Sequence, residues 1–270
     1  MTRKQVLLVV GAAHSGTTIL DAALGVSRQV VGVGEAVRLV SGIRPDRMKN
    51  PVTGRLCTCG QRAEQCPLWS QVLPDLHADS TVASHFPLVD DAARALSPEV
   101  RYVLDSTPDA LDHVDGLAGY DVRVLQLTRD VRSWVASRRR RRGGSLVSGY
   151  VTWLRTVKRI DADLTRRGLP RFRLGYEELA LRPREVLTLI CAWLQVPFDE
   201  AMLRPFGNTN SHIITGNASI RTPDLAATVR YDGSWLASND HPAASGLLTS
   251  MCAGINRRLV YSNGVLKRRG

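Results

Sequence analysis

A buried strand that runs directly into a small-residue turn constrains the fold of this chain more than any other segment. Residues 5–11 (QVLLVVG) form a nearly continuous apolar run bounded by glycine, which is typical of a central strand in a parallel sheet. The turn follows at residues 12–16, and Thr17–Leu24 is predicted to be a helix. Because the first amides of a helix have no intrahelical acceptor, this arrangement predicts an anion-binding site at the turn.

Strands and helices alternate along the rest of the chain. Four more segments are predicted to be strands: 29–33, 100–104, 122–128 and 171–174. Apolar residues at helical spacing predict a long helix over 146–164, and Pro183–Leu194 predicts another that begins with proline. This alternation predicts an α/β fold with a mostly parallel central sheet flanked by helices. We expect one domain over residues 1–270, with an irregular insertion or lid at about 36–96.

The charge balance favours an anionic partner. Lys and Arg number 36 against 25 Asp and Glu, which gives a net charge of +11. Such an excess suits nucleic acid, a phosphate-bearing cofactor or an acidic acceptor, although a solvated basic surface is the alternative. No apolar run approaches the ~20 residues that span a bilayer, so no membrane span is predicted. The apolar segment 6–13 leads straight into the turn, which favours a strand over a signal peptide and predicts a cytoplasmic protein.

The turn after the first strand carries the side chains of a phosphate or sulfate site. These residues are His14, Ser15, Gly16, Thr17 and Thr18. The segment lacks the lysine of a Walker A loop, which argues against a kinase or a GTPase. A tight turn in which threonine caps the helix is the alternative interpretation.

A second motif follows the fourth strand. Arg129 stands at the carboxyl end of that strand, where open α/β sheets bind their ligands. Ser137 follows eight residues later, about two turns along the next predicted helix, so both side chains can lie along one groove. An arginine and a serine in this arrangement suit a second phosphate group, away from the first.

Taken together and in this order, the two motifs resemble those of the PAPS-dependent sulfotransferases. Residues 15–18 look like the loop that holds the 5′-phosphosulfate in that family, and Arg129 with Ser137 matches the spacing of its 3′-phosphate pair. The resemblance extends over about residues 5–240. It implies a fold like that of the P-loop NTPases, PAPS as the sulfuryl donor and no required metal.

Two further segments are similar to the same family. Residues 172–179 (FRLGYEEL) look like its Tyr-Glu-Asp-Leu stretch. Residues 211–217 (SHIITGN), followed by Arg221, are similar to the C-terminal segment of bacterial members, in which a basic residue closes over the nucleotide. The resemblance therefore implies that Arg221 covers the 3′-phosphate.

Glu35 is the expected catalytic base. It lies just beyond the second strand, and a glutamate at this place removes the acceptor's proton in the protein-tyrosine and heparan-type sulfotransferases. The Gly-Glu…Arg pattern is similar to that of the tyrosyl-protein branch, and we expect Arg38 to contact the substrate. His14 stands where the family usually has Lys or Arg. A histidine there can donate a hydrogen bond to the leaving phosphate, and it adds charge when protonated.

Three cysteines lie close together in the predicted insertion: Cys57, Cys59 and Cys66. Their spacing is not that of a four-ligand zinc site, although His77 or His85 could supply a fourth ligand. We favour packing or a local disulfide, expect His212 to be a hydrogen-bonded structural residue, and predict no metal. The five arginines of residues 138–142 could contact the 3′-phosphate or an acidic acceptor, but a solvated helix end explains them equally well.

These patterns favour an enzyme that transfers the sulfuryl group of PAPS to the hydroxyl of an acceptor. Saccharide, lipid, phenol and peptide hydroxyls all remain candidate acceptors, and the sequence does not indicate an oligomeric state. Two alternatives belong to other classes. One is a nucleotide or small-molecule kinase on a P-loop fold, which would need the missing lysine. The other is a non-catalytic nucleic-acid-binding protein, for which exposed aromatic residues among the basic ones would be expected; we predict no nucleic-acid partner.

Overall fold

A parallel sheet forms the centre of the structure, a computed structural model that describes residues 3–42, 52–216, 229, 231, 233–237 and 242–266. The strands of the sheet are β1 (Gln5–Val10), β2 (Val30–Gly32), β3 (Tyr102–Asp105), β4 (Asp121–Thr128) and β5 (Arg171–Gly175). Their spatial order is β2-β3-β1-β4-β5, and every neighbouring pair is parallel. The predicted α/β class with a central parallel sheet, similar to that of the P-loop NTPases, is therefore confirmed.

Helices connect and cover the strands. The α-helices are α1 (Thr17–Leu24), α2 (Ala36–Leu39), α3 (Trp69–Val72), α4 (Val82–Ala95), α5 (Val131–Arg142), α6 (Leu146–Arg167), α7 (Tyr176–Leu181), α8 (Pro183–Leu194) and α9 (Pro242–Val260). Short 3-10 helices lie at Ala63–Gln65, Leu73–Asp75, Ala110–Leu117, Glu200–Leu203 and Ser234–Ala237. The helices predicted at α1, α6 and α8 are confirmed, as are all five strands, whose ends differ from the predicted ends by two residues at most.

The apolar run of β1 is explained by burial on both faces of the sheet. Leu7 and Val9 pack with α1, α7 and α8, whereas Val6, Leu8 and Val10 pack on the opposite side with α2, α3, α4 and the second half of α6. A third apolar cluster joins α5, α6 and α9. Because both faces are covered, each β1 side chain after the first is excluded from solvent.

The region at about 36–96 is less irregular than expected. Within its described part lie α2, α3 and the 14-residue helix α4, so the expectation of irregular structure is wrong for residues 82–95. The hydroxyl of Thr81 caps α4 by accepting a hydrogen bond from the backbone N–H of Ser84, at 3.2 Å. Pro87 lies inside this helix. It makes the helix difficult to predict from the sequence, because proline normally interrupts a helix.

Within the part of the chain that the structure describes, none of the helices has both the length and the apolar character that a bilayer span requires.

Candidate active site

The topology of the sheet creates a crevice at the carboxyl ends of β1 and β4. These strands are neighbours in the sheet. After β1 the chain runs towards one edge of the sheet, where β2 lies, and after β4 it runs towards the opposite edge, where β5 lies. Open α/β sheets bind ligands at such a switch point. The two segments that the sequence singled out, after β1 and after β4, therefore begin at the same place.

The loop after β1 presents hydrogen-bond donors at the start of α1. Gly16 has a left-handed backbone (φ 97°), and a Cβ at this position would lie 2.9 Å from the ring of Tyr176. No side chain caps α1, and Thr17 is buried in its first turn. Ser15 is completely buried, and its hydroxyl has no hydrogen-bond partner among the described residues. An unpaired buried hydroxyl at an uncapped helix N-terminus is the arrangement that an anion would satisfy.

Arg129 reaches this loop from the end of β4. Its Nη1 donates to the backbone carbonyl of His14 at 3.3 Å, and its Nε donates to the hydroxyl of Ser133 at 3.0 Å. The guanidinium also lies over the ring of Tyr176, 4.6 Å from the centroid. Ser137 is buried on α5, one turn beyond Ser133. The structure thus brings Arg129 to the loop after β1, with Ser137 further along the helix that Arg129 contacts.

A buried glutamate forms hydrogen bonds to two residues next to Arg129. Glu177 accepts hydrogen bonds from the hydroxyl of Ser133 and from the backbone N–H of Asp130, both at 2.9 Å. Burial raises the pKa of Glu177 to about 7. The indole of Trp153 donates to the carbonyl of Arg129 at 2.9 Å. These contacts fix the junction between β4 and α5, and with it the position of Arg129.

His14 stands between the loop and the arginine-rich end of α5. Its Nδ1 lies 3.4 Å from Nη1 of Arg141, and its backbone is left-handed (φ 68°). Burial lowers the pKa of His14, and the positive charges of Arg141, Arg142 and Arg129 lower it further. The lowered pKa favours an uncharged imidazole here, and Arg141 supplies positive charge beside it. One member of the arginine run thus lies at the site.

Glu35 lies beyond β2, at the start of α2, and is 16% exposed. Nη1 of Arg38 donates to its Oε2 at 2.6 Å, and Nη2 of the same guanidinium donates to Asp109 at 2.6 Å. Burial raises the pKa of Glu35; the charge of Arg38 opposes this effect, and that of Asp109 adds to it. Arg38, for which substrate contact was expected, therefore sits beside the expected base and bridges two carboxylates.

Two buried aspartates hold the backbone around Glu35. Asp105 accepts hydrogen bonds from the backbone N–H of Val37 at 2.7 Å and of Thr107 at 2.9 Å. Asp21, on α1, accepts from the backbone N–H of Gly34 at 3.1 Å. Burial raises the pKa of each aspartate to about 7. Sequence reasoning gave neither aspartate a supporting role, although a carboxylate on the apolar face of α1 was a visible signal for Asp21.

The segment 211–216 joins the two sides of the site. The hydroxyl of Thr215 accepts a hydrogen bond from the backbone N–H of Glu35 at 3.2 Å. At Gly216 (φ 90°), a Cβ would lie 3.2 Å from Oγ1 of Thr18 and 3.6 Å from Oε1 of Glu35. Thr18 and Glu35 thus flank the same glycine. Arg221 lies outside the described residues.

A family model described as "Sulfotransferase family" matches residues 7–200, a span that contains the loop after β1, Glu35, Arg129 and Ser137. The chain belongs to the sulfotransferase family. No curated protein matches its sequence.

Solved sulfotransferase structures share the fold at low sequence identity. The sulfotransferase domain from the curacin biosynthetic pathway superposes with a TM-score of 0.65 at 16% identity, over 94% of this chain and 99% of that one. The sulfotransferase domain from the olefin synthase of Synechococcus PCC 7002 superposes with a TM-score of 0.61 at 21% identity, over 94% of each chain. Both likenesses cover nearly the whole chain and establish the sulfotransferase fold.

Proposed function

We propose that this member of the sulfotransferase family transfers the sulfuryl group of PAPS to the hydroxyl of an acceptor and releases PAP. The observation that carries the proposal is the buried hydroxyl of Ser15, which has no partner among the described residues and lies at the uncapped start of α1. An anionic group would satisfy it, and Arg129 reaches the same loop. The net charge of +11 also favours an anionic donor.

The donor would be held at both of its charged ends. Residues 15–18 would bind the 5′-phosphosulfate through backbone amides and hydroxyls, and Arg129 with Ser137 would bind the 3′-phosphate. Arg221 would cover it. When bound, PAPS supplies an activated sulfuryl group on a phosphate leaving group. Positioning and electrostatic stabilisation would then account for most of the catalysis, by analogy with phosphoryl transfer.

The residues around Glu35 would act on the acceptor. Glu35 would take the hydroxyl proton while the acceptor oxygen bonds to sulfur in line with the bond that breaks. Burial raises the pKa of Glu35, which makes its carboxylate a stronger base. Arg38 would orient that carboxylate through its hydrogen bond to Oε2. His14 and the nearby Arg141 would stabilise negative charge on the leaving phosphate.

Two further points concern the acceptor and the cellular compartment. Both structural neighbours are named as sulfotransferase domains, which supports sulfuryl transfer and leaves the acceptor class open. All five cysteines are free thiols, which fits a reducing compartment, and we propose a cytoplasmic location.

Ligand-dependent thermal unfolding separates this function from its alternatives. The protein is heated alone and with PAP, with ATP and Mg²⁺, or with duplex DNA. We expect PAP to raise Tm most, because the proposed site binds PAP most tightly. A ligand at 100 times its Kd stabilises the native state by about 2.7 kcal/mol. A larger shift with ATP and Mg²⁺ would favour a kinase, and a larger shift with DNA would favour a nucleic-acid-binding protein.

Product analysis tests the reaction itself. The protein is incubated with PAPS and panels of saccharide, lipid, phenol and peptide acceptors, and products are identified by mass spectrometry. The proposal predicts an acceptor that gains one SO₃ group while PAP accumulates in equal amount. PAP release without any sulfated acceptor would contradict it.

A further inference from the structure

A second cluster of reactive side chains lies outside the proposed active site. Its members are Cys57, Cys59, Cys66 and His212, and their ligand atoms all lie within 4.8 Å of one another. The three cysteines come from the insertion, whereas His212 is about 150 residues away in sequence and is brought to them by the fold. His77 and His85, the fourth ligands considered from sequence, instead pack edge to face against each other at 5.2 Å.

The distances within the cluster suit a tetrahedral metal ion. Two sulfurs bound to zinc at about 2.3 Å are about 3.8 Å apart, and a sulfur and a nitrogen are about 3.6 Å apart. The Sγ atoms of Cys57 and Cys66 are 3.7 Å apart. Nδ1 of His212 lies 3.1 Å from Sγ of Cys66 and 3.9 Å from Sγ of Cys57. The sulfurs are free thiols, so the local disulfide expected from sequence is not present in this structure.

A tight turn brings the first two cysteines of the cluster together. Cys57 and Cys59 both lie in this turn, and Gly60 closes it with a positive φ of 86° and a hydrogen bond from its backbone N–H to the carbonyl of Cys57 at 2.9 Å. The sulfurs of Cys57 and Cys59 therefore belong to one cluster. A metal ion would bind the cysteines as thiolates, because metal-bound cysteines are deprotonated.

We propose that Cys57, Cys59, Cys66 and His212 bind one Zn²⁺ ion. Three thiolates and one imidazole form a donor set that zinc prefers over magnesium or calcium. Four protein ligands complete a tetrahedral coordination and leave no position for water, so the site is structural rather than catalytic. This proposal replaces the expectation from sequence that the cysteines only pack or pair and that no metal is bound.

The ion would link the insertion to the segment 211–216, because its ligands come from both. Thr58 donates its backbone N–H to the carbonyl of Ile213 at 3.2 Å, and the indole of Trp69 donates to the carbonyl of His212 at 2.6 Å. Three residues after His212, Thr215 contacts the backbone of Glu35. Zinc would thereby stabilise the backbone on one side of the proposed active site. This consequence rests on the proposed function, whereas zinc binding itself does not.

Metal content tests the proposal without an activity assay. The full chain is purified under reducing conditions without a chelator, dialysed, and analysed by elemental mass spectrometry. We expect about one zinc ion per chain, as a closed four-ligand site requires. Replacing zinc with Co²⁺ should give the visible bands of tetrahedral cobalt and a near-ultraviolet thiolate charge-transfer band.

Matched variants assign the ion to this cluster. Cys66→Ser and His212→Ala should lose the bound zinc, whereas Cys191→Ser, which changes another buried cysteine, should keep it. Little zinc in the wild-type protein together with an octahedral cobalt spectrum would overturn the proposal, as would a Cys57–Cys66 disulfide found by mass spectrometry of the unreduced chain. Because the wild-type measurements need no variant, poor folding of a variant does not affect them. A wild-type protein that binds no zinc yet transfers sulfuryl groups would overturn this site and leave the proposed function standing.

Discussion

The loop after β1 offers backbone amides, hydroxyls and the guanidinium of Arg129, whereas the side of the crevice near Glu35 places two carboxylates around the guanidinium of Arg38. We call the first the donor side (residues 14–18 and Arg129) and the second the acceptor side (Glu35, Arg38 and Asp109). The first arrangement suits a fixed anion, and the second suits a proton that moves. The difference suggests that binding and proton removal are carried by separate groups, so mutations should separate them.

The largest expected effect is on the acceptor side. Glu35→Gln keeps the size of the side chain but removes the base, so turnover of PAPS should fall by about 10²-fold or more. Glu185→Gln, which changes an exposed glutamate on α8, serves as the control and should turn over normally. Steady-state assays with a sulfated product as readout check both. Near-normal turnover in Glu35→Gln would place the base elsewhere.

A smaller loss, of affinity rather than rate, is expected on the donor side. Arg129→Ala should weaken PAP binding by about tenfold or more, since a hydrogen bond to a charged group contributes roughly 1.5–3 kcal/mol. Arg129→Lys keeps the charge but not the planar fork, and it should fall between the alanine variant and the wild type. Titration calorimetry measures all three. Unchanged affinity in a folded alanine variant would remove Arg129 from the site.

A still smaller loss of PAP affinity is expected for Ser15, whose hydroxyl would contact the ligand. A buried hydroxyl that stabilises the fold should instead affect the free energy of unfolding. Ser15→Ala should weaken PAP binding only severalfold, because a neutral hydrogen bond contributes roughly 0.5–1.5 kcal/mol, and it should not lower the free energy of unfolding. Ser106→Ala is the matched change, because the Ser106 hydroxyl is buried and donates to Asp21 at 2.8 Å. It should cost about 1–2 kcal/mol of stability. Urea unfolding compares the two, and an equal loss in both would contradict the role given to Ser15.

The smallest expected effect is a shift of the pH profile. Glu35 must be deprotonated to accept a proton, so turnover should rise with pH through its pKa, which burial raises above the usual range of a glutamate. Arg38 lowers this pKa and Asp109 raises it. Arg38→Met should therefore move the acid limb of kcat/KM to higher pH, and Asp109→Asn should move it to lower pH, each by up to about one unit. Shifts in the same direction would show that another group controls the limb.

The donor side was largely predictable from the sequence because it is local. The apolar run of β1, the glycine turn and the start of α1 are continuous in the chain, and burial on both faces of the sheet explains the apolar run. Arg129 was predictable for a similar reason, since the end of a parallel strand is where such sheets bind ligands. The family match covers these segments and shows that the chain belongs to the sulfotransferase family.

The contacts that hold the acceptor side and the cluster of Cys57, Cys59, Cys66 and His212 were less predictable because they join distant segments. Thr215 contacts the backbone of Glu35 across 180 residues, and His212 joins Cys66 across 146. Neither pairing leaves a local pattern in the sequence. The contact of Arg141 with His14 was hidden in the same way, since a run of arginines at a helix end resembles an ordinary solvated surface.

The most direct test of the separation between the two sides is the affinity of PAP for Glu35→Gln, measured by calorimetry on the same preparation that is assayed for turnover. We expect a Kd close to that of the wild type in a protein whose turnover has fallen by about 10²-fold. A parallel loss of PAP binding would contradict this expectation, because Glu35 would then support the donor side rather than accept the proton.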